Sequence, residues 1–302
     1  MFVKYNKDKQ FKWTIQRKGK QMDRRTYNTE VFRDTAKIIY RNETLNAFIK
    51  DSIANQKLYL QNENHEFTTG NRKDTAAKII VSKKRSYEAA EPYARAGKKV
   101  CVLNFASARC PGGGVKHGAS AQEECLCRCS TLYWCLSDHT LEEKFYRPHK
   151  QLDTSLYNDD CIYTPDVYVI KTDVDFPEAM DPKDWYKVDV LTCAAPNLRH
   201  IDLRYSDDNI DEASEITKDD LRALFTSRIR RIFQVAAENE AEVLILGAFG
   251  CGAFRNPPEI VASVFEELSA EYQYYFETIE YAVFCRDYET ENYKIFQAHL
   301  EK

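Results

Sequence analysis

From residue 78 onward, short apolar runs alternate with amphipathic stretches. The runs "KIIVS" and "KKVCVLNFAS" predict strands, with the stretch "SYEAAEPYARA" between them predicting a helix. "CIYTPDVYVIKTD" and "YKVDVLTCAAP", rich in Tyr, Val and Ile, read as strands. A strong helix follows in "TKDDLRALFTSRIRRIFQVAAENE". Leu221, Leu224, Phe225, Ile229, Ile232, Phe233 and Ala236 form its stripe, and Thr217 with Asp220 resembles a capping box. "EVLILGAFGCG" predicts a buried strand entering a glycine loop, and "NPPEIVASVFEELSAEY" a helix with Asn256 as its cap. "TIEYAVFC" and "ETENYKIFQAHL" close the pattern as strand and helix. Strands alternating with helices imply a layered α/β sandwich.

Residues 1–75 have a different texture. They are polar and rich in Lys, Arg, Asn and Gln, with one amphipathic stretch, "TEVFRDTAKIIYRNETLNAFIK". Its Val31, Phe32, Ala36, Ile39 and Phe48 fit a helix lying on a larger body. "QNENHEFTTGNRKD" then reads as a loop. The expected organisation is a helical extension over 1–75 packed on a core spanning 76–302.

Composition changes this picture little. With 43% apolar residues and 13% aromatics the chain buries a substantial core, and a formal charge of -4 gives no strongly basic face. The opening "MFVKYNKDKQFKW" shows no secretory leader, and no apolar run reaches the ~18 residues of a membrane span. Ten cysteines without an export signal fit reduced thiols. The expectation is a cytoplasmic protein, or a nuclear one in a eukaryote.

Seven of the ten glycines sit at 112–118 and 247–252. Glycine weakens regular elements, so such clusters mark sharp turns or close approach of backbone to a ligand. Each loop follows a predicted strand and precedes a predicted helix, the arrangement in which backbone N–H groups hold phosphate. A plain strand-to-helix turn explains either loop alone. Neither matches G-x-x-x-x-G-K-[ST] or a first-turn G-x-G-x-x-G. Two such loops in one domain favour a ligand with two phosphates, or one long nucleotide.

"SAQEE" at 120–124 carries two adjacent carboxylates. Ser120 with Glu123 has the form of a capping box, which leaves Glu124 unexplained. A carboxylate just past a phosphate cradle is placed to meet the group attached to those phosphates, and paired carboxyls suit glycoside cleavage. Cys125, Cys127 and Cys129 follow in a predicted helix running through Cys135. At helical spacing Cys127 points away from the other two, so one tetrahedral metal is poorly served and buried apolar thiols are the expectation. No base is positioned for a cysteine nucleophile.

"VLNFASARCPGGG", then seven residues, then "QEE", resembles the signature of microbial-type poly(ADP-ribose) glycohydrolases, in the macrodomain superfamily. "LGAFGCGAFRNPPEIVA" resembles the second phosphate loop of that family. The resemblance implies a macrodomain-like three-layer α/β/α sandwich with a mixed sheet. It assigns Asn104 to the distal ribose and Gly112, Gly113 and Gly114 to that ribose and the phosphates. By the same resemblance Gln122 shapes the catalytic loop, Glu123 orients the ribose and Glu124 protonates the leaving oxygen. The backbone of Gly250, Cys251, Gly252 and Ala253 would hold the diphosphate, with Phe254 against the terminal ribose. Cys110 departs from the polar residue expected before the proline.

The activity so implied is release of ADP-ribose units from poly- or mono-ADP-ribosylated protein or nucleic acid. It would proceed through an oxocarbenium-like state completed by water, with no cofactor, no metal and no membrane partner. A non-hydrolytic ADP-ribose-binding reader and a hydrolase of free ADP-ribose derivatives are the alternatives. Both glutamates are present, and binding phosphates requires neither.

Overall fold

Side chains alternate across the pleat in residues 100–103: Val100 and Val102 enter one buried cluster, Cys101 and Leu103 another on the opposite face. The computed structural model describes residues 15–17, 20–63, 65–68, 72–204 and 215–301. Strands β1 (Ile15–Arg17) and β2 (Lys20–Met22) form a short antiparallel pair before helices α1 (Arg24–Tyr40) and α2 (Glu43–Ala54). β3 (Lys57–Tyr59), β4 (Lys78–Ser82), α3 (Ser86–Arg95) and β5 (Val100–Phe105) follow. Then come α4 (Gln122–Cys129), α5 (Leu132–Leu136), α6 (His139–Leu141) and α7 (Arg147–Lys150). β6 (Cys161–Val169) and β7 (Tyr186–Cys193) precede a parallel pair, β8 (Asp202–Arg204) and β9 (Glu215–Thr217). α8 (Lys218–Glu238), β10 (Val243–Leu246), α9 (Pro258–Tyr272), β11 (Thr278–Ala282) and α10 (Glu291–Leu300) complete the order.

Seven strands form the central sheet in the order β3-β6-β7-β5-β10-β11-β4. β7, β5, β10, β11 and β4 are mutually parallel, while β6 pairs antiparallel with both β7 and β3. The sheet is therefore mixed. One face buries α8, α9 and α10 through residues such as Phe225, Phe233, Phe265 and Phe296. The other buries α3, α4 and α5 through Tyr87, Ala90, Leu126 and Leu132. This is the expected α/β/α sandwich. Among the described residues no helix is long and apolar enough to cross a membrane. The reading of no secretory leader falls on residues 1–13, outside the described residues.

Several elements differ from their sequence expectation, each for a local reason. The stretch 29–50 is two helices, because Arg41 ends α1 and the Asn42 side chain caps α2 by accepting the Leu45 N–H at 3.0 Å. The helix expected through Cys135 breaks at Ser130, which is extended and bridges to Val169. α9 begins after Pro257, not Asn256, whose amide is committed to backbone carbonyls elsewhere. The Thr217 cap does form, its Oγ1 accepting the Asp220 N–H at 3.1 Å. Residues before 76 join the sheet itself, since β3 covers its β6 edge. α1 seats on the first glycine loop: Asn28 Nδ2 donates to Gly118 O at 3.0 Å, and a Cβ on Gly118 would lie 2.0 Å from Arg25 O.

Candidate active site

A cavity of about 520 Å³ opens at the carboxyl ends of four parallel strands. Phe105 from the end of β5, Ala195 beyond β7, Ala248 beyond β10 and Val283 beyond β11 form its floor. The first glycine loop with α4 makes one wall, and the second glycine loop makes the other.

On the first wall Gln122 stitches α4 to its neighbours. Its Oε1 accepts the Phe105 N–H at 2.9 Å, while Nε2 donates to Ser86 Oγ at 2.9 Å and Leu103 O at 2.8 Å. That fixes the direction of the next two side chains. The expected capping box is absent: Ala121 is the N-cap, and the Glu123 carboxylate turns inward instead. Its Oε2 accepts the Ser107 N–H at 2.8 Å and its Oε1 accepts from Asn104 Nδ2 at 3.4 Å. Burial pushes the Glu123 carboxyl up to about 8; the adjacent Glu124 adds to the rise, and the Ser107 and Asn104 hydrogen bonds oppose it.

Glu124 Oε1 accepts the Gly114 N–H at 2.9 Å, whereas its Oε2 is buried without a partner. Of the four carboxylate oxygens, that one alone is uncommitted. Gly113 explains the glycines here. Its φ is +53°, and a Cβ would stand 2.6 Å from Glu124 Oε1 and 3.0 Å from Glu123 Oε2.

The second wall is built differently. Asn256 Nδ2 donates to Pro196 O at 2.7 Å and Gly250 O at 3.0 Å, holding the loop against the strand ends. Around it the N–H groups of Gly250, Gly252, Ala253 and Phe254 have no partner among the described residues. All four residues line the cavity. Adjacent free donors of this kind are an anion site.

Of the residues named from sequence, Gly113, Gly114, Gln122, Glu123, Glu124, Gly250, Gly252, Ala253 and Phe254 meet at the cavity. Asn104, Gly112 and Cys251 do not line it. Asn104 is wholly buried beneath Glu123, also donating to Thr192 Oγ1 at 3.2 Å, and its Oδ1 has no partner. Gly112 packs against the Tyr133 ring, and Cys251 against the hydrophobic core. Sequence reasoning missed Arg85, Asp173, Arg199 and Phe284, which line the cavity from four separate segments. Arg85 pairs with Asp175 at 2.6 Å and lies 3.9 Å from the Phe284 ring centre. Burial raises the Asp173 carboxyl, which accepts the Tyr87 N–H at 3.1 Å. No motif surrounds these residues, so only the fold brings them into view.

Cys127 and Cys129 are buried in the core on the α4 side of the sheet, and burial raises both thiols. Cys125 is partly exposed at the cavity wall, with Arg128 Nη2 3.1 Å from its sulfur. Among the described residues no group of three or more His, Cys, Asp or Glu is placed to hold a metal ion.

Comparison with known proteins agrees with this geometry. Residues 26–172 match the family model "Microbial-type PARG, catalytic domain". The fold is similar to poly(ADP-ribose) glycohydrolase from Thermomonospora curvata, at 26% identity and TM-score 0.77 over 90% of this chain and 99% of that one. The same enzyme bound to the inhibitor ADP-HPD matches at 26% identity and TM-score 0.73, over 90% and 98% of the two chains. Poly(ADP-ribose) glycohydrolase from Deinococcus radiodurans in complex with ADP-ribose matches at 28% identity and TM-score 0.70, over 84% and 96%. Among curated proteins, none matches the sequence.

Proposed function

This chain belongs to the microbial-type poly(ADP-ribose) glycohydrolase family, and we propose that it releases ADP-ribose from poly- or mono-ADP-ribosylated protein or nucleic acid. The reaction is acid-assisted cleavage of a ribosyl glycosidic bond. One observation carries the reading: Glu124, whose Oε2 is uncommitted, and Gly250, Gly252, Ala253 and Phe254, whose backbone N–H groups are free among the described residues, line one cavity.

The donors hold the diphosphate, which fixes the distal ribose against the first wall. Glu124 delivers its proton to the leaving oxygen through Oε2 as the C–O bond breaks. Positive charge develops on the ribose as that bond breaks, and a water molecule adds to it, giving up a proton that restores the Glu124 carboxyl group. Glu123, which keeps a proton up to about pH 8, orients the ribose hydroxyls beside it. Turning the Asn104 amide over offers its otherwise unpartnered Oδ1 to that proton. Gln122 acts behind both glutamates by locking α4 to β5.

A non-hydrolytic reader is the poorer reading on physical grounds. Burying the Glu123 carboxyl destabilises the fold, and phosphate binding gains nothing from it. The test is incubation with poly(ADP-ribose), mono-ADP-ribosylated protein and mono-ADP-ribosylated DNA, followed by measurement of released ADP-ribose. Release from at least one is expected. Tight ADP-ribose binding with no release from any of the three would make the protein a reader.

A further inference from the structure

Two arginines are buried among the described residues, and they are partnered differently. Arg228 pairs with Asp159 at 2.9 Å. Arg128, only 2% exposed, makes no ion pair with a carboxylate among the described residues, and its Nε has no hydrogen-bond partner. Asp173 feels its charge, yet that carboxyl accepts the Tyr87 N–H instead, at 3.1 Å. A buried cation that no carboxylate offsets costs stability. Nor does Arg128 line the cavity.

Its place on α4 shows what the cation does. Arg128 stands one turn beyond Glu124, and helical side chains lean toward the N-terminus, so its guanidinium reaches back over the first turn. There Nη1 donates to Ala119 O, and Nη2 lies 3.1 Å from Cys125 Sγ. Ala121 gives α4 no side-chain cap, so this donation from the last turn holds the chain that leads into the helix. The Ala119 N–H in turn donates to Gly114 O at 3.2 Å, and the Gly114 N–H donates to Glu124 Oε1 at 2.9 Å. The circuit therefore closes: Arg128, Ala119, Gly114, Glu124, and back through one turn of α4. With Oε1 held in it, Oε2 is left uncommitted. From outside, α1 braces the same pieces. Asn28 Nδ2 donates to Gly118 O at 3.0 Å, and Thr35 Oγ1 to Arg128 O at 2.6 Å.

We propose that Arg128 is a positioning residue for the cleavage, holding the Ala119 carbonyl so that Gly114 keeps the Glu124 carboxyl in its reacting orientation. This rests on the glycohydrolase reading above and adds the group that sets its acid. Arg128 acts through the loop and touches no substrate. A residue needed here for packing alone would be apolar, as its neighbours Leu126 and Leu132 are, and would bury no charge.

The test is a double-mutant cycle in single-turnover hydrolysis of an ADP-ribosylated substrate that the wild type cleaves. It compares wild type, Arg128→Met, Glu124→Gln and the double variant, with the Kd of free ADP-ribose measured by calorimetry for each. Methionine keeps the unbranched stem and removes the charge. The rate of Arg128→Met should fall about 10²-fold, as when a reacting group moves by about 1 Å, while the ADP-ribose Kd is unchanged. In the Glu124→Gln background the same substitution should cost at most about 2-fold, because the group it positions is already gone. Arg128→Lys, which keeps the charge and a donor for Ala119 O, should recover part of the lost rate. If Arg128→Met does not fold, Arg128→Gln takes its place with the same outcomes, since its amide ends where the arginine Nε stands. A wild-type rate in the Arg128 variant overturns the proposal. So does an undiminished loss in the Glu124→Gln background, or a loss of ADP-ribose affinity as large as the loss of rate. A wild-type protein that releases ADP-ribose from no substrate overturns the glycohydrolase reading, and this role with it.

Discussion

Residues 112–114 and 250–254 each come after a parallel strand of the central sheet and each face one cavity, yet their amides end in different places. In the first loop the Gly113 N–H goes to Cys110 O at 3.0 Å and the Gly114 N–H to Glu124 Oε1 at 2.9 Å. In the second, the amides of Gly250, Gly252, Ala253 and Phe254 find no partner among the described residues. The first loop spends its amides inside the chain, on the Cys110 carbonyl and the Glu124 carboxyl group; the second is open to an acceptor from outside. Both are glycine loops, and what separates them is whether acceptors of the same chain reach the amides first.

Removing the first loop's carboxyl group at the reacting atom gives the largest effect. Glu124→Gln keeps an oxygen for the Gly114 N–H but has no acidic proton, so turnover should drop by ~10²–10⁴. ADP-ribose affinity should survive, because the second loop is untouched. Single-turnover hydrolysis beside a calorimetric titration checks both halves. Near wild-type hydrolysis would remove Glu124 from its role, and loss of affinity would mean the two walls do not divide the work.

The other carboxylate breaks the comparison through stability and pH. Glu123 is raised from an ordinary 4.5 to about 8, so the folded state holds a proton that the unfolded chain has released across that window. Stability from this group is therefore complete below about pH 4.5 and drains as pH rises through about 8, by about 1.4 kcal/mol per unit. Glu123→Gln has no proton to lose. Relative to wild type it should gain a few kcal/mol between about pH 5 and about pH 8, read from denaturation midpoints at the two ends. Wild type and variant falling in parallel would place the buried charge elsewhere.

Much of the sheet and the larger helices were legible in the sequence because their patterning is local. The short apolar runs at 78–82, 100–105 and 243–246 and the stripe of α8 each depend on neighbours within a few residues. The cap at α4 was not legible. Ser120 and Glu123 fit a capping box by spacing, but the Ser107 N–H, sixteen residues earlier, holds the carboxylate instead. The Asn256 cap failed for a similar reason, since Pro196 O claims its amide from sixty residues away. Both errors are long-range contacts displacing a local rule. The site shows the same limit: the motifs locate its two loops, while Arg85, Asp173 and Arg199 reach it only through the topology.

A methyl group on the first loop should have a middling effect. Gly113→Ala forces a left-handed φ of +53° on alanine and drives its Cβ to within 2.6 Å of Glu124 Oε1. The backbone alone costs roughly 1–2 kcal/mol. The displaced carboxylate should lower turnover by on the order of 10², the usual effect of moving a reacting group by about 1 Å. Melting curves and single-turnover rates test the two halves separately. A variant that melts early but hydrolyses normally would show that the glycine serves the fold and not the glutamate.

The same substitution on the second loop should have the smallest effect, and in the opposite direction on stability. Gly252 has no atom within 4 Å of where a Cβ would stand, and its φ lies outside the range that strains other residues. Gly252→Ala therefore meets no clash and restricts the unfolded chain, so the protein should gain about 0.4–1 kcal/mol. Its methyl projects into open space at the cavity, beside the free amides of Ala253 and Phe254. A bound diphosphate would have to share that space, so affinity for ADP-ribose should weaken modestly while the rate of cleavage once bound is kept. Denaturation with a calorimetric titration gives both numbers from one preparation. Unchanged affinity together with higher stability would place the diphosphate away from Gly252; loss of cleavage at saturating substrate would mean that the second wall also positions the reacting atoms.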